Sequence, residues 1–334
     1  MSTIADVAAR AGVSKATASR ALSGGGYVAA DTRERVRTAA RELSYVAHSS
    51  ATSLATGRSL SVGVLMPALD RWFFAELLSG IQQELLISGH DLLLYGTQEG
   101  SQERAHLFQE LLPRRRLDGI IAVGIQPSAR ELERLMLVDS PLVCVGAYSA
   151  GTSAVSIDDE AAARIATEHL IDLGHEDVAF LGGRADAATH AYGDERRLEG
   201  YRAAMAAAGL GAQVRHEAGE ATMPGGYEAG VRMLGDRRRR PTAVVAVCDE
   251  VAIGGIIAAR RMGLSVPTEL SVVGIDDHEH AVMFSLTTVR QQPQEQGRAA
   301  VQLLRERMDA PDAPAVQRVL PSELVVRSST AALR

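Results

Sequence analysis

The chain has 334 residues, 46% of them apolar and 23% charged, with two cysteines and a net charge of −6. That length accommodates two or three domains with sizeable cores, and the composition is that of a soluble globular protein. No run approaches the roughly 20 apolar residues that span a membrane; Asp6 and Arg10 interrupt the N-terminus where a secretory signal needs an apolar core; and Cys144 and Cys248 fit no metal spacing, which predicts reduced thiols in the cytoplasm.

The charge is uneven. Residues 1–60 carry eight basic side chains against four acidic ones, a net +4, which leaves −10 on the remaining 274 residues. A basic head on an acidic body points to a polyanion met by the head alone. Within the head, helical patterns cover roughly 4–10, 14–22, 31–43 and 49–56, with no strand-like run. In TIADVAARAGVSKATASRAL, Gly12 suits a tight turn and Ser14 the cap of a second helix. Val7, Val13, Ala18 and Ala21 then face a small core, and Lys15, Ala16, Thr17, Ser19 and Arg20 point outward. Arginine grips guanine with two hydrogen bonds and hydroxyls bind phosphates, so that face suits a DNA major groove. Gly24–Gly26 release the chain toward the third helix, which Asp31 or Thr32 is expected to cap and Val36, Ala39, Ala40 and Leu43 to bury.

From residue 61 the texture changes. SVGVLM (61–66), DLLLYG (91–96), DGIIAVG (118–124), LVCVGA (142–147), VAFLGG (178–183), AVVAVC (243–248) and LSVVGID (270–276) read as buried strands. Helical stretches alternate with them and end at Gly89, Gly174, Gly209 and Gly263, where a left-handed cap needs glycine. Such alternation means parallel sheets covered on both faces. Around 270 residues is too much for one such sheet, so two subdomains with a ligand cleft at the strand ends are expected.

Through IADVAARAGVSKATASRAL, YVAADTRERVRTAARELSYV, ATEHLIDLGHEDVAFLGG, RRLEGYRAAM and LSVVGIDDHEHAVMFSLTTVRQQPQEQGRAA the chain resembles the LacI/GalR family of bacterial transcription regulators. The resemblance implies a small all-α helix-turn-helix domain (1–47), a hinge helix or linker (48–60) and an α/β effector-binding and dimerisation domain (61–334). The last is expected as two Rossmann-like parallel-sheet subdomains of the type I periplasmic-binding-protein kind, about 61–159 with 290–319 and 160–289 with 320–334. The chain would cross between them near 158–161, 288–291 and 319–322.

The resemblance places Lys15, Ala16 and Arg20 among base-reading positions, and Thr17 and Ser19 among backbone contacts. Thr3, Ser14 and Tyr27 join the DNA-binding set. Leu54, in the hinge HSSATSLATGRS, would enter the minor groove and open a base step. In the cleft, Arg197 and Asp276 would hold ligand hydroxyls. Arg71, Trp72, Phe73, Cys248 and Asp249 complete the implied effector set, with Trp72 offered as a surface for a sugar face.

Several positions depart from the family pattern. Ala47-His48 stands for Pro-Asn, Thr52 for a frequent arginine, Arg71-Trp72 for Asn-Pro, Gly146-Ala147 for Asp-Arg and Cys248 for asparagine. DDHEH (276–280) reads as a cleft-edge loop rather than a metal site, while RRR (114–116) and RRRR (237–240) read as solvated helix ends. The expected protein is a dimeric repressor of a carbohydrate uptake or catabolic operon, without cofactor. It would bind a pseudo-palindromic operator in double-stranded DNA and be released by a sugar-like inducer. A corepressor mechanism stays open. A free solute-binding protein lacks an export signal, and an enzyme with a DNA-binding appendage lacks a nucleophile–base pair.

Overall fold

The computed structural model describes residues 2–23, 27–45, 59–67, 69–96, 100–112, 117–125, 127–136, 140–146, 151–183 and 192–333. Gly24–Gly26, hinge residues 48–58 with Leu54, Arg114–Arg116 and Ala147 lie outside them.

Three helices form the head: α1 (Ile4–Ala11), α2 (Lys15–Ser23) and α3 (Ala30–Glu42). Thr3 caps α1 in a reciprocal box with Asp6, which satisfies N–H groups that have no partner inside the helix. Gly12 then takes φ +65°, a conformation that side-chain-bearing residues adopt at a cost, and the chain turns into α2. Val7, Ala8, Ala18, Ala21, Val36, Ala39 and Ala40 are buried, with Val13 and Leu43 packed at their edge. Alanines at these contacts let three short helices approach closely. The expected cap of α3 is corrected: Ala29 occupies that position without a side-chain bond, and Asp31 lies in the first turn. There its charge still favours the positive end of the helix dipole.

The body alternates strand and helix: β1 (Ser61–Met66), α4 (Trp72–Ser88), β2 (Asp91–Gly96), α5 (Gln102–His106, continued by a π-turn), β3 (Gly119–Val123), α6 (Ala129–Met136), β4 (Leu142–Val145) and β5 (Ser153–Ile157). Then come α7 (Asp159–Asp172), β6 (Val178–Leu181), α8 (Tyr192–Ala207), β7 (Arg215–Glu217), α9 (Met223–Gly235), β8 (Ala243–Ala246), α10 (Asp249–Arg261) and β9 (Ser271–Asp276). The chain closes with β10 (Thr287–Arg290), α11 (Pro293–Asp309), β11 (Gln317–Leu320) and β12 (Glu323–Val325). Gly89, Gly174, Gly209 and Gly263 all take positive φ just past their helices.

Two six-stranded sheets result, ordered β11-β5-β4-β3-β1-β2 and β12-β10-β9-β8-β6-β7. All pairings are parallel except β10 with β12. Each sheet is the floor of one lobe. The chain passes from the first sheet to the second after Ile157, back after Arg290, and over again after Leu320. The seven apolar strand runs fall on observed strands, whereas β5, β7, β10, β11 and β12 are additional.

In the first lobe, α4 lies on α11 so closely that a β-carbon on Gly80 would collide with the Gln294 carbonyl and one on Gly297 with that of Leu77. Leu77, Ile81 and Leu85 of α4 and Leu303 and Leu304 of α11 are completely or almost completely buried against the first sheet, each worth about 1.5–3 kcal/mol relative to exposure. Among the described residues, no helix is long and apolar enough to cross a membrane.

Candidate functional site

Two surfaces carry chemistry. On the head, Ser14 caps α2: its hydroxyl accepts from the Thr17 N–H at 3.1 Å and shares a 2.9 Å bond with the Thr17 hydroxyl. Thr17 is therefore half-buried and its hydroxyl engaged in the cap. Lys15, Ala16, Ser19 and Arg20 lie exposed, Arg20 resting its Nε on the Ala16 carbonyl one turn back. Tyr27 is 94% exposed, and Thr3 is held in the α1 cap. One helix thus presents a lysine, an arginine and a serine without competing ion pairs in contact with them among the described residues.

The second surface is the cleft between the lobes, at the carboxyl ends of both sheets. Its walls combine Phe73, Phe74, Val145, Ile157 and Ala221 with the polar groups of Arg71, Asp159, Asp194, Arg197, Asp276 and two glutamines. Arg197, on α8, donates from Nε to Asp159 at 2.8 Å and from Nη1 to the Val247 carbonyl at 2.7 Å, with Asp276 3.8 Å away. Burial opposes its charge, and the carboxylates of Asp159, Asp276 and Asp194 more than reverse this, holding its pKa above the ordinary arginine value. Arg71 is half-buried; burial opposes its charge, and the Glu250 carboxylate outweighs this, holding its pKa above the ordinary arginine value.

Asp276 ends β9 with φ +135°, and Asp277 follows at +59°, conformations that non-glycine residues hold only when their surroundings impose them. The clamps are visible. Asp277 accepts from Arg290 at 2.7 Å and from Arg327 at 2.6 Å. The Gln296 amide donates to Gln291, and the Gln291 amide donates in turn to Asp276, a line of bonds from α11 of the first lobe to the strand end of the second. Burial pushes the Asp276 carboxyl up, against the pull of Arg197. Fixed donors and acceptors between apolar walls suit a small polyhydroxylated molecule with an apolar face.

Of the residues named from the sequence, Arg71, Phe73, Arg197, Cys248 and Asp276 line this cleft. Two residues are corrected. Asp249 is fully buried and faces away, accepting the Thr288 hydroxyl at 2.7 Å and the His278 N–H at 2.8 Å. Cys248 is the extended residue before α10 and Asp249 its first helical residue, so successive side chains diverge. Trp72 likewise starts α4 and lies outside the cleft lining, its ring packed on His278 with centroids 4.8 Å apart and planes tilted by 34°. The sequence reading missed Phe74, Asp159, Asp194, Gln291 and Gln296. Asp159, two residues past β5, and Gln291, directly after β10, were the signal, since both follow strand ends. In the DDHEH stretch, Asp277 is paired with arginines and His278 packs on Trp72 and His280.

Comparison with known proteins bears on both surfaces. Residues 3–48 match the bacterial regulatory proteins of the lacI family, and residues 167–330 match the periplasmic binding protein-like domain. The ribose operon repressor of Escherichia coli K12 is 32% identical over 317 residues, covering 93% of this chain and 94% of that one. The structure of a lac repressor dimer bound to operator and the anti-inducer ONPF superposes with a TM-score of 0.87 at 26% identity, over 99% of both chains. That of the transcriptional regulator CelR with cellobiose gives 0.72 at 29% identity, over 98% of this chain and all of the other.

Proposed function

The chain belongs to the LacI family of bacterial regulatory proteins, DNA-binding repressors that answer to small effectors, and from that premise we propose that it represses a carbohydrate uptake or catabolic operon in the cytoplasm and releases it when a sugar-like inducer occupies the cleft. The observation that carries this reading is the pairing, in one chain, of an unencumbered basic face on α2 with a cleft whose polar groups converge on Arg197 and Asp276. A relative named for a ribose operon and a structural neighbour holding cellobiose support a sugar as ligand.

In this reading residues 1–47 form the DNA-binding domain. Lys15, Ala16 and Arg20 read base edges, and Ser14, Thr17, Ser19, Thr3 and Tyr27 meet the backbone. Residues 48–60 form the hinge, with Leu54 as its minor-groove wedge. Two chains pair through the body. Val282 and Met283, 68% and 70% exposed, and Leu86 and Ile87, 69% and 78% exposed, offer apolar surface for that contact. Dimers place two recognition helices on the half-sites of a pseudo-palindrome. The inducer acts by binding the DNA-incompetent arrangement more tightly, since equal affinity for both arrangements shifts nothing.

The test is selection of genomic fragments by the purified full-length protein, first alone and then with a panel of sugars. Symmetric sites upstream of transport or catabolic genes, lost on addition of one sugar, are the expected result. Sites enriched only after a metabolite is added reverse the sign to corepression. Absence of any symmetric site under both conditions overturns the proposal.

A further inference from the structure

Arg71 and Trp72 are consecutive residues at the start of α4, in the lobe of the first sheet, yet both side chains contact the other lobe. Arg71 donates from Nε and Nη2 to one Glu250 oxygen at 3.0 and 2.8 Å, the two side chains being 23% and 16% exposed. Its Nη2 also lies 3.7 Å from the Cys248 sulfur. Beside this pair, Trp72 stacks on His278 with ring centroids 4.8 Å apart. Each contact joins a rigid element to another. α4 is anchored by Leu77, Ile81 and Leu85 in the first core. Glu250 sits in the first turn of α10, where a carboxylate is favoured. His278 is fixed by its own N–H bond to Asp249 and by its ring Nδ1, which accepts from the His280 N–H.

Rigid bodies joined at two adjacent points separate only by losing both contacts together. Pulling the lobes apart breaks the ion pair and the ring contact at once, and returns to water two charges that are largely shielded while the lobes meet. We propose that Arg71–Glu250 and Trp72–His278 form an interlobe clasp that keeps the cleft closed along one rim in the free protein and thereby sets effector affinity. Because both charges are neutralised internally, the clasp needs no ligand to engage. A cleft that is already closed binds its ligand without the penalty of a sparsely populated competent state. The clasp deepens the reading of the cleft given above, naming how its affinity is regulated, and it is tested without DNA or sugar, so that its failure and the failure of operator binding remain separate results.

Trp72 is the chain's single tryptophan, so tryptophan fluorescence, excited selectively over the seven tyrosines, reports on the clasp. The experiment is acrylamide quenching of the full-length protein, wild type against Glu250→Gln, with far-UV circular dichroism as the check on folding. The glutamine variant keeps the length of Glu250 but removes its charge from Arg71 and from the neighbourhood of His278, and is expected to raise the quenching constant by about twofold as open forms become populated. Glu250→Asp keeps the charge at the start of α10 but withdraws it from Arg71 by one methylene; it is expected to move the constant in the same direction and serves should the glutamine variant not fold. A folded variant that quenches like the wild type overturns the clasp.

Discussion

Asp249 and Asp276 lie at the ends of neighbouring strands and have opposite duties. Asp276 faces the cleft beside Arg197, so Asp276→Asn or Arg197→Met is expected to weaken effector binding by about 10–100-fold, the loss of a hydrogen bond to a charged group, as read by calorimetry with the sugar identified in the operator selection. Asp249 is sealed behind it, and burial raises its carboxyl well above the ordinary value of 3.8, with Asp276 adding to the rise. The folded chain therefore retains a proton that the unfolded chain has released. This contribution to stability is complete below the unfolded value and is lost as pH rises through the folded one. Urea midpoints measured from about pH 5 to about pH 8 are expected to fall more steeply in the wild type than in Asp249→Asn. Arg197 and Asp276 were legible in the sequence because each sits in a long matching stretch. Asp249 and Trp72 were misplaced because strand alternation stops at a helix cap, so adjacency to a lining residue says little about where the next side chain points.

At the level of elements, caps and close helix contacts decide which changes the fold tolerates. Ser14→Ala removes the acceptor for the Thr17 N–H and is expected to cost about 1 kcal/mol of head stability, measured by thermal melting of the full-length protein with the head followed by amide exchange. Gly80→Ala places a methyl against the Gln294 carbonyl, forcing α4 off α11. Overpacking of that kind costs about 1–3 kcal/mol or more, and a lowered urea midpoint for the body is the expected reading. Strands were legible where they carry an unbroken apolar run: half-exposed β2 (DLLLYG) was read, whereas buried β5 (SAVSI) and β10 (TTVR), with their serines and threonines, were not. Val62–Met66 and Ile120–Val123 are covered on both faces and read as unbroken apolar runs. β7, β11 and β12 lie at or near sheet edges, with RHE, QRVL and ELV as their sequences, and half-exposed backbone of that kind leaves no apolar signature. The helix at Ala30–Glu42 was legible in its buried stripe but not in its start, because its capping position holds an alanine.

For the whole molecule, the separation of a +4 head from a −10 body confines attraction for DNA to one end. Operator affinity is accordingly expected to fall steeply with salt, by about a thousandfold or more between about 50 and about 200 mM sodium chloride if a dimer covers six or more phosphates, as measured by fluorescence anisotropy on an operator duplex. The three passages of the chain between lobes have a consequence for synthesis on the ribosome. The first lobe lacks its edge strand until Leu320 has emerged. The second waits longer still: β12 pairs with β10, Arg327 ties down Asp277, Ser329 bonds the Val272 carbonyl and the Thr287 N–H, and the Leu333 N–H closes on the Leu173 carbonyl. The head, complete within its first 45 residues, can fold while translation continues, whereas neither lobe can finish until residues past about 317 have been added. A nascent chain stalled near residue 315 therefore already carries a folded DNA-reading head on a body that has yet to complete either of its sheets.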